Sequence, residues 1–286
     1  MEALQTQNLF GVRDKVVLVT GGARGIGLMV RAHTGRTTSR DASERATSPQ
    51  IASGFVANGA RVYISSRKAD ACAAVAAQLT AAGPGTCVAL PEDLSTLAAC
   101  ERLAARLGER EPALHCLVNN SGVAWGEPLA THSEKGLDRV YALNFKAIFF
   151  LSRALLPLLE RGASLGLPSR IINIGSIAGI RPQSFPTYGY DSSKAAVHHL
   201  TLKLADEFAT RHITVNAVAP GYVPSAMSAQ LDAYTGDGDE VVKKIPLGRM
   251  GAPGDMAGAT LFLASPAGAW VTGVILPVDG GFLARL

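Results

Sequence analysis

Short apolar runs recur along the chain, each about the length of a strand buried on both faces. They cover Lys15–Thr20, Arg61–Ser65, Thr86–Leu90, Leu114–Asn119, Arg170–Ile174, Thr214–Ala219 and Gly273–Val278. Between them lie Ala/Leu-rich stretches with helical spacing: Asp70–Ala82, Thr96–Leu107, Lys135–Glu160, Tyr190–Arg211 and Pro253–Leu263. The alternation of strand and helix predicts an α/β fold, a doubly wound parallel sheet of about seven strands in one domain spanning residues 1–286. The most apolar stretch, around Ala142–Leu159, carries Lys146, Arg153 and Pro157 and reads as a buried helix rather than a membrane span.

One segment breaks this rhythm. Residues 31–51 hold four Arg, four Thr and three Ser and no aromatic, where an apolar helix should continue. Their net charge is +2, half of the chain's +4. Without them the text runs GIGLMV-ASGFVANGARVYIS, a smooth helix into the second strand. The segment reads either as an inserted polar loop or as translated non-coding sequence, and the second reading is favoured.

The remaining composition narrows the function classes. Charged residues make up 17% and hydrophobic residues 48%, which excludes a disordered chain. An excess of 27 basic over 23 acidic side chains lacks the dense footprint of a nucleic-acid binder. Cys72, Cys87, Cys100 and Cys116 have no metal spacing and read as reduced thiols of a cytoplasmic protein. The N-terminal text lacks the basic and apolar regions of a signal peptide. No metal site and no membrane partner are expected.

Six places carry candidate chemistry. Thr20-Gly21-Gly22-Ala23-Arg24-Gly25-Ile26-Gly27 follows the first strand, where glycines let backbone and a helix N-terminus approach a pyrophosphate. This makes the sheet a Rossmann-type dinucleotide fold. Ser66, Arg67 and Lys68 close the second strand, where an NAD site usually places a carboxylate. Cations there, with Arg24, suit a 2′-phosphate and hence NADP(H). Gly27 lies 39 residues before Ser66, and without the 21 odd residues the separation falls to 18, near the expected spacing. Asp93-Leu94 after the third strand can meet the adenine. Asn120 and Gly122 of Asn119-Asn120-Ser121-Gly122 close the fourth strand, to brace the loop or touch the cofactor. Tyr190 has Lys194 four residues on, so phenol and ammonium share a helix face. A nearby cation lowers a tyrosine pKa and makes it a usable proton donor to a carbonyl, which Ser176 can also hold. Pro220-Gly221-Tyr222-Val223-Pro224-Ser225 opens a polar stretch, about 222–245, that reads as a substrate lid.

TGGARGIG, NNSG, Ser176, YDSSK, NAVAPG and Val278-Asp279-Gly280-Gly281, in this order, resemble the short-chain dehydrogenase/reductase family over nearly the whole chain. Within it the look is most similar to 3-oxoacyl-[acyl-carrier-protein] reductases of the rhamnolipid-biosynthesis type. The resemblance implies a catalytic group of Asn144, Ser176, Tyr190 and Lys194, with Tyr190 giving or taking the proton. Lys194 would hold the nicotinamide ribose, and Asn144 would support a water relay. The same match places Ile26, Asp93, Asn120, Val223 and Ser225 along the cofactor. Trp125, Pro182, Phe185 and Tyr222 would shape the substrate pocket. The function implied is NADP(H)-dependent interconversion of a ketone or 3-oxoacyl carbonyl and its alcohol, by a homodimer or homotetramer. The alternative is a catalytically impaired nucleotide-binding protein, or a defective gene product, because of 31–51.

Overall fold

The computed structural model describes residues 1–21, 50–224 and 238–285. Arg24, Ile26, Gly27 and Ser225, with most of the 31–51 segment and the middle of the proposed lid, lie outside the described residues.

Seven parallel strands form one sheet in the order β3-β2-β1-β4-β5-β6-β7. They are β1 (Val16–Thr20), β2 (Arg61–Ser65), β3 (Thr86–Ala89), β4 (Cys116–Asn119), β5 (Ser169–Ile174), β6 (Ile213–Pro220) and β7 (Ile275–Val278). Every run expected to be a strand is one. The central strands are buried along their whole length because helices cover both sheet faces. β7 sits at the edge, where Pro277 leaves no ladder bond unmade inside the sheet.

The helices are α1 (Gln50–Ala57), α2 (Ala69–Ala82), α3 (Leu97–Gly108), α4 (Glu134–Tyr141), α5 (Ala147–Gly162), α6 (Tyr188–Phe208), α7 (Gly238–Lys244) and α8 (Pro253–Ala264). Side chains of β1 alternate between the two faces, as the pleat requires. Val17 and Val19 pack with Phe55, Leu79 and Met256 on one face. Leu18 packs with Leu103, Leu151, Val197 and Phe208 on the other. The single stretch expected over Lys135–Glu160 is instead α4 and α5 joined by one π turn at Ala142–Lys146. Together they are long and apolar enough to cross a membrane, yet Leu151, Leu155 and Leu159 lie in the core. All four cysteines are free and buried.

The polar excursion ends earlier than its composition suggests. Gln50 and Ile51 already belong to α1, and both are buried. The Gln50 amide has neither its nitrogen nor its oxygen hydrogen-bonded among the described residues. In a chain lacking 31–51, Val30 would take the place of Ile51 and Met29 that of Gln50. Both replacements keep an apolar or similar-sized side chain, and the second removes two polar atoms that have no partner among the described residues. Gln50→Met in the full chain should therefore raise stability by about 1–3 kcal/mol, read from the denaturant midpoint. The excised chain should gain as well and still bind NADPH. A loss of stability in Gln50→Met would show that the amide is needed where it is.

Candidate active site

The chain order reverses between β1 and β4, and the carboxyl ends of these strands open a crevice there. Gly21 turns the chain out of β1 with φ of 70°. A Cβ at this position would lie 3.0 Å from both the Asn120 amide nitrogen and the Ser121 Cα. Only glycine combines the left-handed backbone with that approach. The Thr20 hydroxyl accepts the N–H groups of Asn120 and Ser121, each at 3.0 Å. The Asn120 amide in turn donates to the Thr20 carbonyl at 2.9 Å. Asn120 thus braces the two loops. The Gly21 N–H donates to the Ser65 carbonyl at 2.7 Å, tying the turn to β2.

At the end of β2 the Ser65 hydroxyl is buried without a partner among the described residues. Ser66 is half-buried, and Arg67 and Lys68 are exposed. Across β3, Asp93 is exposed and accepts the Ser95 N–H, while Leu94 is buried. Among the described residues, a glycine cradle, the Ser65 and Ser66 hydroxyls without partners and two exposed cations fit an adenosine bearing a phosphate. Gly21, Ser66, Arg67, Asp93 and Leu94 would hold it.

The second group of residues gathers around α6. Tyr190 lies in its first turn and Lys194 in the next. The Lys194 ammonium is buried, donates to the Ile174 carbonyl at 2.7 Å, and lies 5.7 Å from the centre of the Tyr190 ring. Ser176 caps a single 3₁₀ turn at Ile177–Gly179, its hydroxyl accepting the Ala178 N–H at 3.1 Å. Asn144 lies on the π turn, a local distortion common at functional sites. Its amide pairs with both the N–H and the carbonyl of Val123, at 2.8 and 3.0 Å, and donates to Ser193 at 3.1 Å. A Cβ on Gly122 would stand 3.4 Å from the Asn144 oxygen and 3.7 Å from the Lys194 nitrogen. Asn144, Lys194 and Gly122 therefore face one another.

The electrostatics correct one expectation. Burial lowers the Lys194 ammonium to about 8. Burial raises Tyr190, and the Ser176 hydroxyl facing the phenol draws it back only in part. Burial is the largest influence on the phenol, and the Lys194 ammonium, 5.7 Å from the ring centre, is hydrogen-bonded to the Ile174 carbonyl. The phenol stays protonated at neutral pH, as a proton donor requires.

Sequence reading missed several supports. His198 is buried one turn beyond Lys194, its Nε2 accepting the Ser176 N–H at 3.5 Å. Burial and the Lys194 charge lower it to about 4, so it is neutral. Asn119 donates to Asn173 at 2.9 Å and to Ser152 at 3.2 Å. Asn173 donates to Thr201 at 2.9 Å, fixing α6 to the sheet. The signal was present: an Asn closes one apolar run and interrupts another. Among the described residues no group of His, Cys, Asp and Glu could hold a metal.

A cavity of about 560 Å³ adjoins this cluster, lined by Ile177, Pro182, Phe185, Tyr222 and Phe282 among others. Trp125 does not line it. Its indole is packed beneath Gly136 of α4, where a Cβ would overlap it, with Arg139 5.6 Å above the ring. Pro220 ends β6, and the Gly221 N–H donates to the Val278 carbonyl at 3.0 Å. Val223 is buried beyond it. α7 lies within the segment read as a lid.

The sheet order, the glycine turn and the Ser176–Tyr190–Lys194 cluster define a dinucleotide-dependent oxidoreductase, and this chain belongs to the short-chain dehydrogenase/reductase family. Residues 42–283 match the family described as Enoyl-(Acyl carrier protein) reductase. The chain is 42% identical over 275 residues to the rhamnolipids biosynthesis 3-oxoacyl-[acyl-carrier-protein] reductase of Pseudomonas aeruginosa, covering 96% of this chain and 98% of that one. It is 34% identical over 280 residues to the galactitol 2-dehydrogenase (L-tagatose-forming) of Cereibacter sphaeroides, covering 96% and 98%. Among solved structures it resembles the Pseudomonas aeruginosa RhlG/NADP active-site complex, with TM-score 0.83, 41% identity, and 96% and 98% coverage.

Proposed function

We propose that this protein is an NADP(H)-dependent reductase of 3-oxoacyl-type carbonyls, working in either direction according to substrate supply. The observation that carries this reading is the convergence of Ser176, Tyr190 and Lys194 beside an aromatic-walled cavity. The name of the Pseudomonas reductase and the NADP in its complex support the substrate class and the cofactor. When bound, the nicotinamide supplies hydride to the carbonyl carbon. Tyr190 gives its phenolic proton to the carbonyl oxygen, and Ser176 holds that oxygen in place. Lys194 keeps positive charge beside the phenol and, through Asn144 and Gly122, faces the loop that closes β4. Pro220, Gly221 and Val223 form the floor at the β6 end. A cytoplasmic homo-oligomer is part of the same proposal.

Consumption of NADPH with a 3-oxoacyl thioester tests the assignment directly; no turnover with any such thioester would remove it. The pH profile tests the roles. Burial holds Lys194 at about 8, so its positive charge is present below that pH and lost above it. The phenol, raised rather than lowered, does not limit the reaction there. Reduction should be flat from pH 6 to 7 and fall about tenfold per pH unit well above 8. Lys194→Arg should move this basic limb upward by more than one unit. A limb unmoved by that substitution would show that another group titrates.

A further inference from the structure

One wall of the cavity beside Ser176 is built on an irregular segment. Pro182, Gln183, Ser184 and Phe185 line the cavity in succession. Residues 182–187 belong to no helix or strand. Pro182 and Pro186 have no backbone donor, so a regular ladder cannot hold this stretch. Among the described residues, loop and side-chain hydrogen bonds fasten it at two points outside itself. The Pro186 carbonyl accepts the Glu127 N–H at 3.1 Å. The Asp191 carboxylate accepts the Gln183 N–H at 3.2 Å through one oxygen and the Thr187 hydroxyl at 2.9 Å through the other.

Thr187 immediately precedes α6, where a hydroxyl ordinarily accepts an N–H of the first turn. Here it makes no such cap and donates to Asp191 instead. The Asp191 carboxylate is half-buried, and among the described residues no basic side chain forms an ion pair with it. Burial raises its pKa, and the bonds from Gln183 and Thr187 draw it back. Both of its oxygens are thus committed to the wall segment rather than to a counter-ion or to the helix end. Asp191 also follows Tyr190 directly, so one helical turn carries both the proton donor and the fastening of the wall.

We infer that Asp191 is a positioning residue for substrate: by tying Gln183 and Thr187 to the turn that carries Tyr190, it holds the cavity wall in register with the proton donor. This role rests on the proposed carbonyl reductase reading and adds to it the group that sets where the substrate lies. Asp191 acts through residues 182–185, which meet the substrate, and not by contact with the reacting carbonyl.

Asp191→Ala frees both donors. KM for the N-acetylcysteamine thioester of 3-oxohexanoate should rise about tenfold, with kcat within about threefold of the parent and NADPH affinity unchanged. Thr187→Val removes one of the two bonds and keeps the side-chain shape and the Asp191 charge. It should raise KM about threefold, and should add nothing once Asp191 is Ala. An acid in the first turn also favours the helix dipole. Were that its whole role, Asp191→Ala would lower the melting temperature and leave KM in place. That result, an unmoved KM in Thr187→Val, or additive effects of the two substitutions would overturn the positioning role. Hydrogen exchange of the peptide covering 182–187 reads the fastening without turnover. It should quicken in Asp191→Ala, and unchanged exchange would equally overturn the role. The reductase reading fails separately, through a parent that reduces no 3-oxoacyl thioester. Calorimetric binding of the same thioester to NADP⁺-saturated parent and Asp191→Ala then decides the positioning role: about tenfold weaker binding in the variant supports it and equal affinity removes it.

Discussion

Tyr190→Phe should bind NADPH as tightly as the parent and reduce its carbonyl substrate about 10²–10⁴-fold more slowly, the range typical for loss of a positioned proton donor. The substitution removes one hydroxyl and keeps the ring. The ring is what Lys194 meets at 5.7 Å, so the ammonium has no reason to leave the Ile174 carbonyl. The packing of the first turn of α6 is likewise untouched. What disappears is the O–H that Ser176 faces and that burial keeps protonated. Nicotinamide fluorescence reads the binding, and single-turnover absorbance at the nicotinamide band reads the chemical step. Turnover within tenfold of the parent would take Tyr190 out of the proton transfer and leave Ser176 as the group nearest the carbonyl. Tight binding with lost chemistry would separate the proton donor from the cofactor site.

The fold was legible because burial on both faces writes parallel strands as unbroken apolar runs. The run at Arg170–Ile174 gains Ser169, and that at Leu114–Asn119 loses its first two residues, but no strand is missing or displaced. Helix detail was less legible. A π turn needs no proline, glycine or cap to announce it, so Ala142–Lys146 reads as ordinary helix. Gln50 is polar and closes a polar run, yet it is buried in α1, since burial follows helix phase rather than local composition. Tyr190 and Lys194 were legible from their spacing. The target of Lys194 was not, because Ile174 lies on a different element 20 residues away. The packing of Trp125 against Gly136 and Arg139 was not legible either, since these residues lie on a different element.

Arg67→Asp should weaken NADPH by roughly 10–100-fold while leaving NADH unchanged or improved, so the preference between the two should shift by at least that factor. Arg67 is exposed at the end of β2, with Lys68 beside it and no carboxylate at the strand end. A hydrogen bond to a charged group contributes about 1.5–3 kcal/mol, and each 1.4 kcal/mol is a factor of ten in affinity. On the reading that Arg67 donates to a 2′-phosphate, the substitution removes that bond and places a like charge against the phosphate. The same carboxylate can accept from the free 2′-hydroxyl of NADH, which is the arrangement NAD sites use. The fold should not register the change, since exposed substitutions of this kind stay within about 0.5 kcal/mol. Titrating parent and variant with both cofactors reads the result. Equal weakening of NADPH and NADH would mean that Arg67 contributes only general positive potential, and raising the salt concentration would then reproduce the effect in the parent. Selective loss of NADPH would instead assign the 2′-phosphate to the end of β2, where the Ser65 hydroxyl is buried without a partner among the described residues.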